Sequence, residues 1–377
     1  MTNHLTMRGA WLRAICSLLA PLLAVVSLTT AFGVGAAPFA YVPNSGGGTV
    51  SVIDIATNTV IATVTAGTGP YGVGTTPDGT KVYVSNQMSN NVTVIGTATN
   101  TVIATVGVGT KPAGIAVSPN GTRVYVANET SGNVSVINTA TNTVVATVAV
   151  QLTPKGIAVT PDNTRVYVAN SDSSSVSVIA TATNTILTTV PVGTSPIGVA
   201  ITPNGARVYV ANNSGANDIS VIDTATNTVV ATIAGTDPFG VAITPNGAKV
   251  YVTNSGQDRI TVINTATNTV LTTILAGGVD PEGLAISPDG TRLYVVNNAS
   301  ASVTVFNTAT DTLVTTVTVG TTPVGLGNFI SIGSVAIPPI IVAVPALPIP
   351  TLGEWGVLML SGLLAGLGCL KRRRKGH

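Results

Sequence analysis

Short apolar runs alternate with polar turns along this chain, and the alternation keeps a fixed period. Around Pro112, Gly114–Val117 alternates small and branched residues as a strand does. Pro119-Asn120-Gly121-Thr122 then makes a turn, with proline presetting φ and glycine free to take positive φ. Arg123–Asn128 reads as a second strand, Val134–Ile137 as a third and Thr143–Val148 as a fourth. No body segment has helical periodicity. The unit recurs with Tyr-Val-x-Asn at Tyr41, Tyr83, Tyr125, Tyr167, Tyr209, Tyr251 and Tyr294. Pro-x-Gly recurs in phase at Pro70, Pro112, Pro154, Pro196, Pro238, Pro281 and Pro323. A third marker, Thr-Asn-Thr or Thr-Asp-Thr, centres on Asn58, Asn100, Asn142, Asn184, Asn227, Asn268 and Asp311.

Four antiparallel strands in about 42 residues is the size of a propeller blade. The predicted fold is all-β: a seven-bladed propeller of four-stranded antiparallel blades over residues 37–330. The chain enters at a second-strand motif, Tyr41, and leaves after a first-strand motif, Pro323–Ile330. That phase predicts that the last inner strand completes the blade begun by residues 38–65. Small residues on one face of the inner strands, such as Gly114/Ala116 and Gly156/Ala158, fit strands that converge on a narrow axis. The repeated tyrosines are expected to pack between blades with their hydroxyls on polar partners.

Composition narrows the chemistry. The chain has 377 residues, 45% hydrophobic and 8% charged, against roughly 25% charged in an average soluble domain. Both cysteines, Cys16 and Cys369, and both histidines, His4 and His377, lie near the ends. The body therefore has no thiolate or imidazole for a zinc site, a haem ligand or a nucleophilic triad. No cofactor or metal is expected, and the reading is of a protein that is not an enzyme. Residues 38–345 hold nine Lys and Arg against thirteen Asp and Glu. A mildly acidic body without a basic patch makes nucleic acid an unexpected partner.

The two ends read as addresses. Arg8 and Arg13, the apolar Ala14–Leu28 and the small residues Val34-Gly35-Ala36 mark residues 1–36 as a signal peptide with a helical core. Residues 331–348 carry Pro338, Pro339, Pro345 and Pro348 and form an extended linker. Residues 349–377 hold Ile349-Pro350-Thr351-Leu352, then Gly353-Glu354-Trp355-Gly356, an apolar run Val357–Leu370 and a basic cluster with Arg372, Arg373 and Arg374. Such a run is expected to form a transmembrane helix, with Trp355 and the basic cluster at its two interfaces.

This tail resembles the IPTL-type C-terminal sorting signal of Gram-negative bacteria, with Gly353 where serine is commoner. The resemblance implies export, retention at the inner membrane and processing by an exosortase-like sorting protease. The body resembles the YVTN-type β-propeller repeat family, also found in archaeal and bacterial surface proteins, and Tyr251-Val252-Thr253-Asn254 is the marker tetrapeptide itself. It implies seven blades and a binding or structural role at the cell envelope or surface. A lactonase-like hydrolase and a passive spacer are the alternatives.

One rim should carry the uniform Pro-Asp/Asn-Gly and Thr-Asn-Thr turns. The other should carry the variable loops, including Gln87–Asn90, Glu129–Gly132, Asn213–Asp218 and Gln257–Arg259. Tyr71, Lys111, Lys155, Asp237, Phe239, Asp280 and Glu282 are the candidate binding rim for an unidentified surface ligand. The fourth strands, Thr59–Val64 through Thr312–Val317, contain no charge, and only Pro191 stands near one as a guard. Bare edges of this kind suit self-association by lateral strand pairing, and the alternative is that strong twist and short length protect them.

Overall fold

In the computed structural model, which describes residues 38–215 and 218–332, the repeats form antiparallel sheets. Six sheets have four strands each: residues 70–107, 112–149, 154–191, 196–234, 238–275 and 281–318, here blades two to seven. Blade one has three strands, Phe39–Asn44, Thr49–Asp54 and Thr59–Thr65. The signal peptide, the linker beyond Ile332 and the sorting signal lie outside the described residues.

The chain's last described segment completes blade one. Val324 N donates to Pro43 O at 2.9 Å, Tyr41 N to Phe329 O at 2.8 Å and Ser331 N to Phe39 O at 2.9 Å. Closure is as the phase predicts, but the segment is no regular strand. It meets its neighbours in isolated bridges, Asn44 with Pro323 and Ala40 with Ile330, while Leu326 bridges Gly72 of blade two. Between them, Gly327 takes φ +122°, open to glycine alone, and Phe329 is fully buried.

Each blade's core comes from alternation. In the second strand Arg123–Asn128, every residue after the first is buried, because both faces meet neighbouring blades. The fourth strands are exposed along most of their length, as in Thr143–Ala149. Each fourth strand also carries a β-bulge. Ile53 pairs with Val60 and Val52 with Ala62, which leaves Ile61 as an extra residue. The same insertion places Ile103, Val145, Leu187, Val230, Leu271 and Val314 in the other blades. A bulge bends an edge away from further pairing. The edges are therefore guarded in every blade, and not at Pro191 alone. The sequence hides this device because a bulge needs no special residue.

The seven tyrosines of Tyr-Val-x-Asn are at most 2% exposed. Six of their hydroxyls donate to the turn residue of the third marker in the following blade: Tyr41 to Asn100 (2.8 Å), Tyr83 to Asn142 (2.7 Å), Tyr167 to Asn227 (2.8 Å), Tyr209 to Asn268 (2.6 Å), Tyr251 to Asp311 (2.6 Å) and Tyr294 to Asn58 (3.0 Å). Those turn residues all have positive φ, between 52° and 56°, which Asn and Asp tolerate best after glycine. Two sequence markers are thus two halves of one inter-blade latch. The seventh pair, Tyr125 and Asn184, is not joined, and Asn184 Oδ1 is buried without a partner.

Candidate functional site

The inner strands surround a central channel. In each of blades two to seven the Pro-x-Gly segment sits in a bulge against the second strand, for example between Pro70 and Val73. A Cβ on its glycine would strike the carbonyl oxygen of residue x in the next unit: Gly72 meets Ala113, Gly114 Lys155, Gly156 Ile197, Gly198 Phe239 and Gly240 Glu282. Glycine there lets the inner strands approach closely. Side chains stitch the same contact: Gly240 N donates to Thr253 Oγ1 at 2.8 Å, and Thr253 Oγ1 donates to Glu282 O at 2.8 Å. The bulge also sets residue x at the variable-rim end of the strand, so the x residues form one ring. Its members are Tyr71, Ala113, Lys155, Ile197, Phe239, Glu282 and Val324.

Four sequence-predicted residues, Tyr71, Lys155, Phe239 and Glu282, belong to this ring. The other three, Lys111, Asp237 and Asp280, precede the proline and stand one step further out, all with φ between 50° and 56°. Lys111 turns outward and pairs with Glu129 at 3.0 Å. Asp280 N donates to Asp258 Oδ1 at 2.7 Å, which ties the two loops together.

The electrostatics single out Glu282. Its Oε2 is buried without a partner. Burial, and then the nearby Asp280, push its carboxyl up to about 8, while Lys155 pulls the other way. Burial pushes Tyr71 up as well, and Glu282, Glu129 and Asp280 add to it. Tyr71 of blade two and Lys155 of blade four thus share one electrostatic neighbourhood with Asp280 and Glu282 at blade seven, and Glu282 is its common member. Among the described residues Lys155 forms no ion pair within 4.0 Å. The ring therefore offers one cation, an acid whose carboxyl is pushed well above its ordinary range and two aromatic surfaces.

Below it the channel holds a cavity of about 420 Å³ whose lining reaches the uniform rim at Pro245 and Pro288. Its wall is aliphatic and backbone, with Ala116, Ala158, Ala200 and Ala242 among the lining residues. Among the described residues no group of three or more His, Cys, Asp or Glu is placed to hold a metal.

The charges divide unequally between the rims. Asp54, Asp78, Asp162, Asp223, Asp289 and Asp311 face Lys81, Arg123, Arg165, Arg207, Lys249 and Arg292 on the uniform rim, which is balanced. Arg207 pairs there with Asp223 at 2.6 Å and Lys249 with Asp311 at 2.8 Å. Glu129, Asp172, Asp218, Asp237, Asp258, Asp280 and Glu282 stand on the variable rim against Lys111, Lys155 and Arg259. The whole acidic excess of the body lies on the variable rim.

Seven blades, a closure shared by the two chain ends and one variable rim define a seven-bladed β-propeller. Comparison with known proteins agrees. The family described as "Lactonase, 7-bladed beta-propeller" matches residues 97–190 and 218–332, more than half of the chain, and the chain belongs to it. A YNCE-like β-propeller description matches residues 1–122, and the IPTL-CTERM motif matches residues 348–374. No curated protein matches the chain. Among solved structures, hydrazine synthase of Kuenenia stuttgartiensis is similar at 24% identity and TM-score 0.66, over 72% of this chain and 92% of that one. A functionally unknown protein from Desulfotomaculum acetoxidans aligns at 20% identity and TM-score 0.67, over 78% and 98%. A candidate 6-phosphogluconolactonase from Bacteroides uniformis aligns at 17% identity and TM-score 0.65, over 76% and 98%. At these identities the likeness speaks for the fold alone.

Proposed function

We propose that this protein is an exported propeller held at the cell envelope by its C-terminal signal, with the variable rim as its binding face. The observation that carries the reading is the contrast between the rims. The uniform rim repeats one charge-balanced turn. The variable rim holds the acidic excess and, at the channel mouth, Tyr71, Lys155, Phe239 and Glu282. A rigid scaffold with variation confined to one loop set is how binding specificity is usually written. The IPTL motif at residues 348–374 supports export and sorting. The processing enzyme is an exosortase-like membrane protease, and the host envelope is Gram-negative.

The test compares the full chain with a chain ending at residue 348. The full chain should fractionate with the envelope and the shorter one should be released. Released and retained forms are then screened against envelope glycans and proteins, with Lys155→Ala and Glu282→Gln as rim variants. Equal fractionation would reject retention, and binding that ignores both substitutions would reject the mouth as the site.

One observation favours a second reading, a hydrolase. Burial and Asp280 push the Glu282 carboxyl up to about 8, in the range that suits a general acid at neutral pH. Against it stands a body without histidine or cysteine. Lactone hydrolysis that Glu282→Gln abolishes would establish the hydrolase.

A further inference from the structure

The bulged fourth strands create a girdle. In every blade the first two apolar residues after the turn of the third marker are exposed. The bulge residue itself is about half exposed: Ile61 49%, Val145 50%, Leu187 53%, Val230 50%. Their predecessors, such as Val102 at 44% and Leu313 at 51%, stand beside them. Fourteen aliphatic side chains thus ring the circumference at one height, near the uniform rim. Isolated exposed aliphatics are ordinary, whereas a pair of them repeated at the same height on every blade makes a periodic apolar surface that suits a partner.

The chain leaves the propeller on the same side. Ile332, the last described residue, lines the channel with Pro245 and Pro288 of the uniform-rim turns. Phe39, at the other end of the described body, begins a second strand and so also lies at this rim.

We propose that the girdle is a lateral contact surface between copies of this chain, used when the tail confines them in one plane. The proposal rests on the envelope-retention reading above. Three features select a second copy as the occupant. Every copy leaves its propeller at Ile332, on the rim beside the girdle, so copies retained by the same tail carry the girdle next to their tether. The fourth strands carry no charge, so two identical faces meet without like-charge repulsion, as an isologous contact requires. And the two exposed aliphatics of one blade make a small contact beside the roughly 1,000 Å² that a stable dimer in solution takes. Repeated weak contacts become effective only at the high local concentration that a tether gives. The contact is made by side chains, because the bulge interrupts the edge that strand pairing would need. A bilayer fits less well: turns carrying Asp54, Asp78 and Lys81 lie beyond the girdle and would have to be desolvated first.

The experiment uses the full chain with Cys16 and Cys369 replaced by serine. Val145→Cys places a thiol on the girdle, and Thr130→Cys places one on an exposed variable-rim loop as control. Cells are oxidised, and envelope fractions are examined for covalent dimers. The girdle thiol should cross-link several-fold more than the control, and adding Ile103→Lys with Leu187→Lys should reduce it to the control level. Envelope-bound chain that cross-links no better than the control, or that ignores the lysines, overturns the proposal alone. A girdle thiol shielded from an impermeant maleimide without cross-linking means another occupant and also overturns it. Chain found free of the envelope overturns the retention reading together with this proposal.

Discussion

The Tyr294 hydroxyl donates to Asn58 Oδ1 across 3.0 Å, joining the seventh blade to the first. The same latch joins five other pairs of neighbours and is missing between Tyr125 and Asn184. Removing a hydroxyl from a made latch leaves a buried acceptor unpaired, which costs about 1 kcal/mol or more. Tyr167→Phe and Tyr209→Phe should each lower unfolding free energy by that amount. Tyr125→Phe should cost clearly less. Urea unfolding of the three variants decides it, and equal losses would show that the ring packing matters and the latch does not.

Ring closure rests on few groups. Phe329 is fully buried where residues 323–331 complete blade one. Phe329→Ala should cost about 3–5 kcal/mol. Deleting Pro323–Ile330 should expose the inner edge of Phe39–Asn44 and drive aggregation. Thermal melting and light scattering check both. Unchanged melting of the deletion would mean that the bridges do not close the ring.

Stability should carry the signature of Glu282. Its carboxyl titrates near its ordinary 4.5 when unfolded and at about 8 when folded. Between those values the folded state binds one proton more than the unfolded state. Stability therefore falls as pH rises through that window, by up to about 1.4 kcal/mol per pH unit. Glu282→Gln should flatten the profile and be the more stable form above the window. Denaturation at several pH values tests the sign, and a parallel profile for the variant would rule out this residue as the cause.

The close approach of the inner strands predicts a contrast between two glycines. In Gly156→Ala the new methyl meets the Ile197 carbonyl oxygen, so the strands must part. A loss of a few kcal/mol, or failure to fold, is expected. Gly107 ends a fourth strand with open space around it, so Gly107→Ala should be neutral or slightly stabilising. Soluble yield and melting temperature distinguish them.

The periods of the sequence carried the blade count, the strand order, the two rims and the closure by residues after Pro323. All of these follow from turn residues and alternation, which are local. What stayed hidden depends on residues far apart in the chain. Tyr83 and Asn142 recur in phase, but nothing local says that one donates to the other. The bulge at Ile61 depends on its pairing with the third strand, and Thr-Val-Ile-Ala-Thr-Val reads as an unbroken strand. At the site, variability separated one rim from the other but did not show that its candidates stand in two rings. Lys111 and Lys155 look alike in the sequence, yet the first is turned out to Glu129 and the second faces the channel mouth. Neither the burial that raises the Glu282 carboxyl nor its influence on Tyr71 has a local signature, because both arise from convergence of separate blades.

The shared first blade has a consequence for delivery. A chain that crosses a membrane N-terminus first presents residues 39–65 early and residues 323–331 late. Six blades can form while the first still lacks its inner strand. Until Ser331 arrives the disc is a broken ring with an open seam, and the segment that seals it lies directly ahead of the linker and the sorting motif. In such a chain completion of the fold and arrival of the address are nearly one event, because the motif follows close behind the segment that seals the ring.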